Sequence, residues 1–307
     1  MTLAQPAPAE ATAVDDFTRA GVHLFGEVLD AAACAALLAD LKAGRDWGEG
    51  LFLSEAAFDA DPQYRGVNPR PGRNLLEGYE ARLKLVEANP AIVAGLTALL
   101  GEGYLLMDRK VVCGVPASVI PDWLKRRIAG NPVNNLGAFV KPHYRDVTYF
   151  YGIDFHQDLI DFKGREADFL TLYIYLAPVG PADAPLFLLE GSHRLGASVF
   201  PHDLVQQGET WRYRSGDGEV LCRQRMLTGG TGYAAMWHAC TLHGTQPDEA
   251  DHERISLRYL LARGPAAEAG IDGVNAAMEG PLALDEIRVD LDAAGAARIK
   301  ANSVNQA

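Results

Sequence analysis

The segment YFYGIDFHQD, residues 149–158, has the aromatic and apolar composition of a β-strand. On an extended strand, side chains two residues apart point to the same face, so His156 and Asp158 are expected to project together. One imidazole and one carboxylate supply two of the three ligands of a metal site. A second imidazole from a distant strand would complete a 2-His-1-carboxylate triad, which leaves positions on the metal open.

The sequence alone leaves two of the three ligands undecided, the carboxylate and the second histidine. Asp154 also lies two positions from His156 on the same face, so it competes with Asp158 as the carboxylate ligand. Both His238 and His243 occur in the run MWHACTLHGT, and either could supply the second imidazole. The Gly-Thr turn that follows His243 would allow backbone and hydroxyl groups to approach a bound ligand.

The run RISLRYL (254–260) predicts a strand with one polar face. Arg254, Ser256 and Arg258 alternate on that face, while apolar side chains occupy the other. A guanidinium beside a hydroxyl is well suited to hold a carboxylate through two hydrogen bonds. Arg254 could therefore bind the carboxylate of a cosubstrate, whereas a lone arginine in a strand more commonly forms a surface ion pair.

Beyond these runs, the chain from about residue 104 consists of short β-rich segments separated by Gly, Pro and Asp. This pattern of short strands and turns predicts a barrel or double-sheet jelly roll and disfavours a parallel α/β sheet. Before it, a strand is predicted around 22–25 and a helix from Asp30, as N-cap, to Gly44. A further helix is predicted over 89–101.

The expected domain organisation is simple. Residues 1–13 form an Ala- and Pro-rich flexible tail, 14–263 a single catalytic domain, and 264–307 a C-terminal appendage without an assigned role. The elaborated segment 109–139 is predicted to be a lid. It carries the basic run Lys125–Arg127, for which a solvated helix face is the common explanation, and cations that meet a small anionic substrate are the alternative.

Composition excludes several function classes. The chain has 307 residues and a formal net charge of -12, which argues against nucleic acid as a partner. No apolar run approaches the length of a membrane span, and the N-terminus lacks the features of a signal peptide. Four scattered cysteines without a CxxC pair are typical of a reduced, cytoplasmic protein.

In order, HQDL (156–159), EGSHR (190–194), HGT (243–245) and RxS (254–256) resemble the phytanoyl-CoA dioxygenase family of Fe(II)/2-oxoglutarate oxygenases. In that family the arginine that binds 2-oxoglutarate follows the distal histidine by eleven residues, as here (254 − 243 = 11). The resemblance runs from DDFTRAGVHLF to about Arg263, nearly the whole chain apart from its ends. One departure is EGSH in place of the more usual PGSH.

The resemblance implies a mainly β fold with flanking helices around a double-stranded β-helix, a cupin-like jelly roll. It also implies an enzyme that uses Fe(II), 2-oxoglutarate, O2 and a small-molecule substrate. Halogenating relatives replace the acidic ligand with a small residue, so the acid retained here implies hydroxylation. The residues implied are the iron ligands His156, Asp158 and His243, and the cosubstrate contacts Arg254, Ser256 and Thr245.

Three alternatives share the same motifs. A zinc hydrolase would use a similar triad to activate water, but it would give Arg254 no clear role. A non-catalytic jelly-roll protein would bind a small molecule with structural histidines. An oxygenase that desaturates or closes a ring would use the same triad as a hydroxylase. The motifs carry no information on oligomeric state.

Overall fold

The structure, a computed structural model, describes residues 12–60, 74–293 and 297–299. Among these residues, seven α-helices flank a sheet of twelve strands. The helices are α1 Ala13–Ala20, α2 Ala31–Lys42, α3 Glu55–Ala60, α4 Glu80–Glu87, α5 Pro90–Leu100, α6 Asp122–Ile128 and α7 Gly270–Ala276. The strands are β1 Val22–Glu27, β2 Leu105–Gly114, β3 Val133–Asn135, β4 Thr148–His156, β5 Phe169–Tyr175, β6 Leu186–Glu190, β7 Asp203–Gln207, β8 Thr210–Ser215, β9 Gly218–Leu227, β10 Tyr233–His238, β11 His243–Thr245 and β12 Arg254–Ala262.

The strands pair in the order β1-β10-β5-β12-β2-β4-β11-β6-β9-β8-β7, and β3 pairs with β4. The β2–β4 pair is parallel, and the other pairs are antiparallel. Neighbours such as β1 and β10 lie far apart in sequence, as in a rolled sheet with long crossovers. The predicted mainly β, jelly-roll class is confirmed.

The two faces of strand β5 pack into two different hydrophobic clusters. Both of its faces are apolar, so the alternation in FLTLYIYL does not predict which one faces inward. In the structure, Leu172 and Ile174 join the large core formed with the helices. Tyr173 and Tyr175 instead pack inside the roll with Trp237.

The predicted N-terminal elements are confirmed. The Asp30 side chain accepts a hydrogen bond from the backbone N–H of Ala33 at 2.7 Å and so caps α2. Helix α2 ends at Lys42, two residues before the predicted cap Gly44, because Ala43 is already extended. Asn89 caps α5, which ends before Gly101.

The structure departs from the predicted segment boundaries in the N-terminal tail, the lid and the C-terminal appendage. Of the predicted tail 1–13, residues 1–11 lie outside the described residues, whereas Thr12 and Ala13 belong to the cap and first turn of α1. Residues 109–114 of the predicted lid are part of strand β2 inside the sheet. The predicted appendage contributes α7, whose Ile271 and Val274 are buried in the main core.

Among the described residues, no single helix has the length and apolar character needed to cross a membrane. Helices α4 and α5 meet that criterion only as a pair bent by 72°. Both helices contribute buried side chains, such as Leu83 and Leu96, to the main core.

Replacement of Leu172 by alanine should lower the free energy of unfolding by about 2–5 kcal/mol, because it leaves a cavity between the sheet and the helices. The matched control is Leu221→Ala in strand β9, where the side chain is 60% exposed and a change within about 0.5 kcal/mol is expected. Urea unfolding followed by circular dichroism measures both. Equal losses for the two variants would contradict the assignment of this core.

Candidate metal and cosubstrate site

His156 and Asp158 both line one cavity, but they reach it from different local structures. Strand β4 ends at His156, Gln157 is extended, and Asp158 opens a short 3-10 helix, Asp158–Asp161. The prediction that both residues lie on one strand is therefore wrong for Asp158. The two side chains still converge because the extended Gln157 preserves the alternation by one further residue.

The structure separates the two candidate histidines. His243 begins β11 and stands directly opposite His156 in the β4–β11 pairing, with the ring centroids 4.2 Å apart. His238 ends β10 and is buried away from the cavity. Its Nδ1 accepts the backbone N–H of Cys240 at 3.1 Å, and its Nε2 lies 2.9 Å from the side-chain oxygen of Asn275.

The two candidate carboxylates are separated as well. Asp154 is buried outside the residues that line the cavity, and its Oδ1 accepts the backbone N–H of Phe155 at 2.8 Å. Asp158 lines the cavity beside His243. Of the alternatives open in the sequence, His243 and Asp158 are therefore the pair that the fold brings to His156.

Each cavity histidine is oriented by its own strand. Nδ1 of His156 lies 3.0 Å from the backbone oxygen of Asp154, and Nδ1 of His243 lies 3.0 Å from that of Thr241. A carbonyl oxygen only accepts, so Nδ1 carries the hydrogen and Nε2 presents a lone pair. Burial, together with the neighbouring His243, holds the pKa of His156 well below its ordinary value. Burial also lowers the pKa of His243, although Asp158 opposes the shift. The lowered pKa values favour the neutral form of both rings, which is the form that binds a metal.

The Asp158 carboxylate receives hydrogen bonds from three side chains. Its Oδ2 accepts Thr171 Oγ1–H at 2.6 Å and Trp237 Nε1–H at 2.9 Å. Its Oδ1 accepts a guanidinium N–H of Arg258. A carboxylate oxygen has about two lone-pair sites, so Oδ1 keeps one site for a further ligand. Burial alone would raise the pKa of Asp158, but Arg258, His243 and the Thr171 bond together lower it below its ordinary value.

These donors fit a 2-His-1-carboxylate metal centre in chemistry and orientation. Nε2 of His243 lies 3.7 Å from Oδ1 of Asp158, on the side of the carboxylate that retains a lone pair. Within the described ranges, no three His, Cys, Asp or Glu side chains already stand at metal-ligand spacing. A metal ion held by His156, Asp158 and His243 would therefore require at least one of these side chains to move.

Arg254 is buried at the wall of the same cavity. Its Nη1 donates to the Tyr173 hydroxyl at 2.9 Å and makes a longer contact, 3.4 Å, with Ser256 Oγ. Its Nε is buried without a hydrogen-bond partner. Across the strand pair lies Gly114, where an added Cβ would stand 3.3 Å from Arg254 Nε. A buried guanidinium with an unsatisfied N–H beside a cavity indicates an anion as its missing partner.

The other two predicted cosubstrate residues have different surroundings. Thr245 lines the cavity, and its hydroxyl donates to the backbone oxygen of Ala184 at 2.9 Å. Ser256 is buried against Arg254 and does not line the cavity. Ser256 can therefore position the guanidinium, whereas Thr245 can offer only its oxygen lone pairs to a ligand.

The cavity has a volume of about 370 Å³, near the lower end of small-molecule sites. Its lining carries more cations than carboxylates. The cations are Lys110, Arg145, Arg254, Arg258 and Arg288, and the carboxylates are Asp158 and Asp161. Burial and the facing Arg258 lower the pKa of Lys110 to about 8. An anionic occupant is favoured by this charge distribution.

Several of these residues were not singled out from the sequence. In the sequence, Arg258 is one of three residues on the polar face of RISLRYL. The alternation does not predict that it pairs with Asp158. Lys110 directly follows Asp108 and Arg109 in strand β2, so the sequence does not separate it from an ordinary charged run. Arg288 comes from the predicted appendage, where Asp290 holds its guanidinium through two 2.8 Å bonds.

Two sequence features lie outside the cavity. In the predicted basic cluster, Arg127 pairs with Asp59 at 3.0 Å and stacks over Trp123, so this cation serves the surface of α6. In the EGSHR motif, Arg194 donates to the backbone oxygen of Arg19 at 2.9 Å. The motif residues therefore join the roll to α1.

Among known proteins, a curated relative matches part of this chain. No family model matches the chain. A curated relative, "Probable alpha-ketoglutarate-dependent hypophosphite dioxygenase" from Stutzerimonas stutzeri, is 34% identical over 121 residues, or 38% of this chain. The match spans 41% of that relative's length. The relative's name agrees with the predicted class of 2-oxoglutarate-dependent dioxygenase.

Solved structures show a similar fold. The epimerase SnoN in complex with Fe3+, alpha ketoglutarate and nogalamycin RO matches with a TM-score of 0.51 at 18% identity, over 85% of this chain and 87% of that chain. A second structure of SnoN, described as a non-heme alpha ketoglutarate dependent epimerase, matches with a TM-score of 0.50 at 17% identity, over 90% and 95% of the two chains. At these identities the likeness concerns the fold alone.

Replacement of Arg258 by methionine should destabilise the metal-free protein by about 3–5 kcal/mol near pH 7, because it leaves the buried Asp158 carboxylate without its cation. Since Asp158 then has a raised pKa, the loss should shrink as the pH falls and the carboxylate is protonated. Urea unfolding at several pH values measures this. The control Arg214→Met removes an exposed pair with Glu219 and should cost less than about 1 kcal/mol. A loss for Arg258→Met that does not change with pH would contradict the ion-pair explanation.

Proposed function

We propose that this protein is an Fe(II)- and 2-oxoglutarate-dependent dioxygenase of the phytanoyl-CoA dioxygenase type, which hydroxylates an unactivated C–H bond of a small anionic metabolite. In the balanced reaction, one oxygen atom of O2 enters the substrate. The other enters succinate as 2-oxoglutarate loses CO2. The observation that carries the proposal is the pairing, in one cavity, of a 2-His-1-carboxylate donor set with the buried, incompletely bonded Arg254.

In this proposal His156, Asp158 and His243 hold the iron. The two imidazoles offer Nε2, because Nδ1 of each is bonded to its own strand. Asp158 offers Oδ1, while Thr171 and Trp237 hold Oδ2. Fe(II), when bound, supplies the redox chemistry that couples cosubstrate decarboxylation to substrate oxidation.

Arg254 binds the distal carboxylate of 2-oxoglutarate. Its Nε and a neighbouring N–H form a fork that matches a carboxylate, and Tyr173 and Ser256 hold the guanidinium from behind. Gly114 keeps the approach open. Thr245 contributes an acceptor oxygen at the cavity wall. This role for Arg254 favours the oxygenase over a zinc hydrolase, because a zinc hydrolase needs only water beside its substrate and no carboxylate cosubstrate.

The order and spacing of the four motifs support the phytanoyl-CoA dioxygenase type. The curated relative supports an anionic substrate, since hypophosphite, which its name gives, is a small anion. The excess of cations around the cavity is consistent with such a substrate. The four cysteines are buried and unpaired, in keeping with a cytoplasmic setting.

Purified protein supplied with Fe(II), 2-oxoglutarate and O2 should convert 2-oxoglutarate to succinate, and this turnover should fall below detection in His156→Ala and His243→Ala. The control is His238→Asn, which should keep Fe(II) binding because His238 lies outside the cavity. Anaerobic Fe(II) titration and a succinate assay measure the two properties. Wild-type protein that binds neither Fe(II) nor 2-oxoglutarate would overturn the proposal.

Arg254→Met should raise the KM for 2-oxoglutarate on the order of 10- to 100-fold, since it removes charge-assisted hydrogen bonds to one carboxylate. Gly114→Ala should raise the same KM by a smaller factor, because its Cβ crowds Arg254 Nε. Fe(II) affinity should be retained in both variants. A KM that is unchanged in Arg254→Met would place the cosubstrate elsewhere.

A further inference from the structure

Lys110 occupies an unusual place in the sheet. It stands directly opposite Arg258 in the β2–β12 pairing, and both side chains line the cavity. Like charges at directly opposed positions on neighbouring strands destabilise a sheet. Both cations are also partly buried here and so lose part of their contact with water.

The other cations that line the cavity have defined partners, and among them Arg145 donates to the backbone oxygens of Val140 and Ala138. Arg258 is paired with Asp158, Arg288 with Asp290, and Arg254 with the hydroxyl of Tyr173. Across the ranges that the structure describes, the Lys110 ammonium makes no hydrogen bond and no ion pair. An ammonium has three donors, and all three remain available to an occupant of the cavity.

The register also fixes where Lys110 lies along the cavity wall. Arg254 pairs with Gly114, whereas Arg258, four residues further along β12, pairs with Lys110. Four residues of a strand span about 13 Å. Arg254 and Lys110 therefore mark opposite ends of one wall, and Asp158 is held at the Lys110 end through Arg258.

We propose that Lys110, together with the facing Arg258, binds an anionic group of the substrate, either a carboxylate or a phosphorus oxyanion. This proposal rests on the proposed function, in which Arg254 is occupied by 2-oxoglutarate. An anion between the two cations reduces the repulsion between them, which Asp158 on Arg258 already offsets in part, and supplies a partner for the Lys110 ammonium. Arg258 can bridge Asp158 and the substrate, because a guanidinium has five N–H donors and Asp158 Oδ1 takes one.

The bridge has a consequence for the reaction. A substrate anchored at Arg258 is held through one guanidinium to the carboxylate proposed as an iron ligand. Its neutral part then lies toward the centre of the cavity, between the two anion sites. Lys110 thus acts as a substrate-binding and orienting residue and takes no part in metal or cosubstrate binding.

The test uses anaerobic calorimetric titration of protein loaded with Fe(II) and 2-oxoglutarate. Sodium hypophosphite and sodium acetate are the probes, at constant ionic strength. Lys110→Met should bind at least one of them about 10-fold more weakly than wild type, from the loss of one charge-assisted contact. Lys110→Arg should restore binding to within about threefold of wild type. The exposed Lys163→Met is the matched control and should behave as wild type.

If Lys110→Met weakens the binding of hypophosphite alone, the site is assigned to phosphorus oxyanions. If it weakens the binding of acetate alone, the site is assigned to carboxylates. Equal binding by wild type and Lys110→Met overturns the proposal, as does wild-type protein that binds Fe(II) and 2-oxoglutarate but neither probe. If Lys110→Met does not fold, acetate is compared with neutral acetamide on wild-type protein, and equal affinities overturn the proposal. Failure of wild type to bind Fe(II) and 2-oxoglutarate is a separate result, which counts against the proposed function itself.

Discussion

A buried ion pair between Arg258 and Asp158 joins strand β12 to the short helix that follows β4. Removing one partner of such a pair leaves an uncompensated charge, which makes the interaction costly to break. Thr171 and Trp237 add hydrogen bonds from two further strands to the same carboxylate. Four separate parts of the roll therefore meet at Asp158, and the position of the proposed iron ligand depends on all of them.

Strand β12 provides the other half of the arrangement. It lies between β2 and β5, so its alternating side chains are divided cleanly between two environments. Leu257 and Tyr259 pack into the core with the helices, while Arg254 and Arg258 face the cavity. A slip of one residue in this pairing would exchange the two sets, burying guanidinium groups in the apolar core. The apolar core thus holds the two arginines at a constant separation along the cavity wall.

The sequence predicted the parts of the site that depend on local alternation. His156 and Arg254 follow from strand patterns, and the family motifs indicated Asp158 and His243 against Asp154 and His238. The structure places these residues together for reasons that local sequence does not contain. The His238 ring instead contacts Asn275, which belongs to helix α7 in the predicted appendage.

The residues missed by sequence reasoning are those whose role depends on pairing across strands. Lys110 acquires its meaning from the register that sets it opposite Arg258, and no local pattern in β2 predicts that register. Arg288 reaches the cavity from the C-terminal segment, which has no recognisable motif. Similarly, both faces of β5 are apolar, so its orientation is decided by the helices that pack on one of them.

The most direct measurement is a crystal structure of the protein grown without oxygen with Fe(II) and 2-oxoglutarate, with the metal located by anomalous scattering at the iron edge. We expect iron bound by Nε2 of His156, Nε2 of His243 and Oδ1 of Asp158, with the distal carboxylate of 2-oxoglutarate on Arg254. Iron bound through His238 or Asp154, or 2-oxoglutarate bound away from Arg254, would contradict the proposed site.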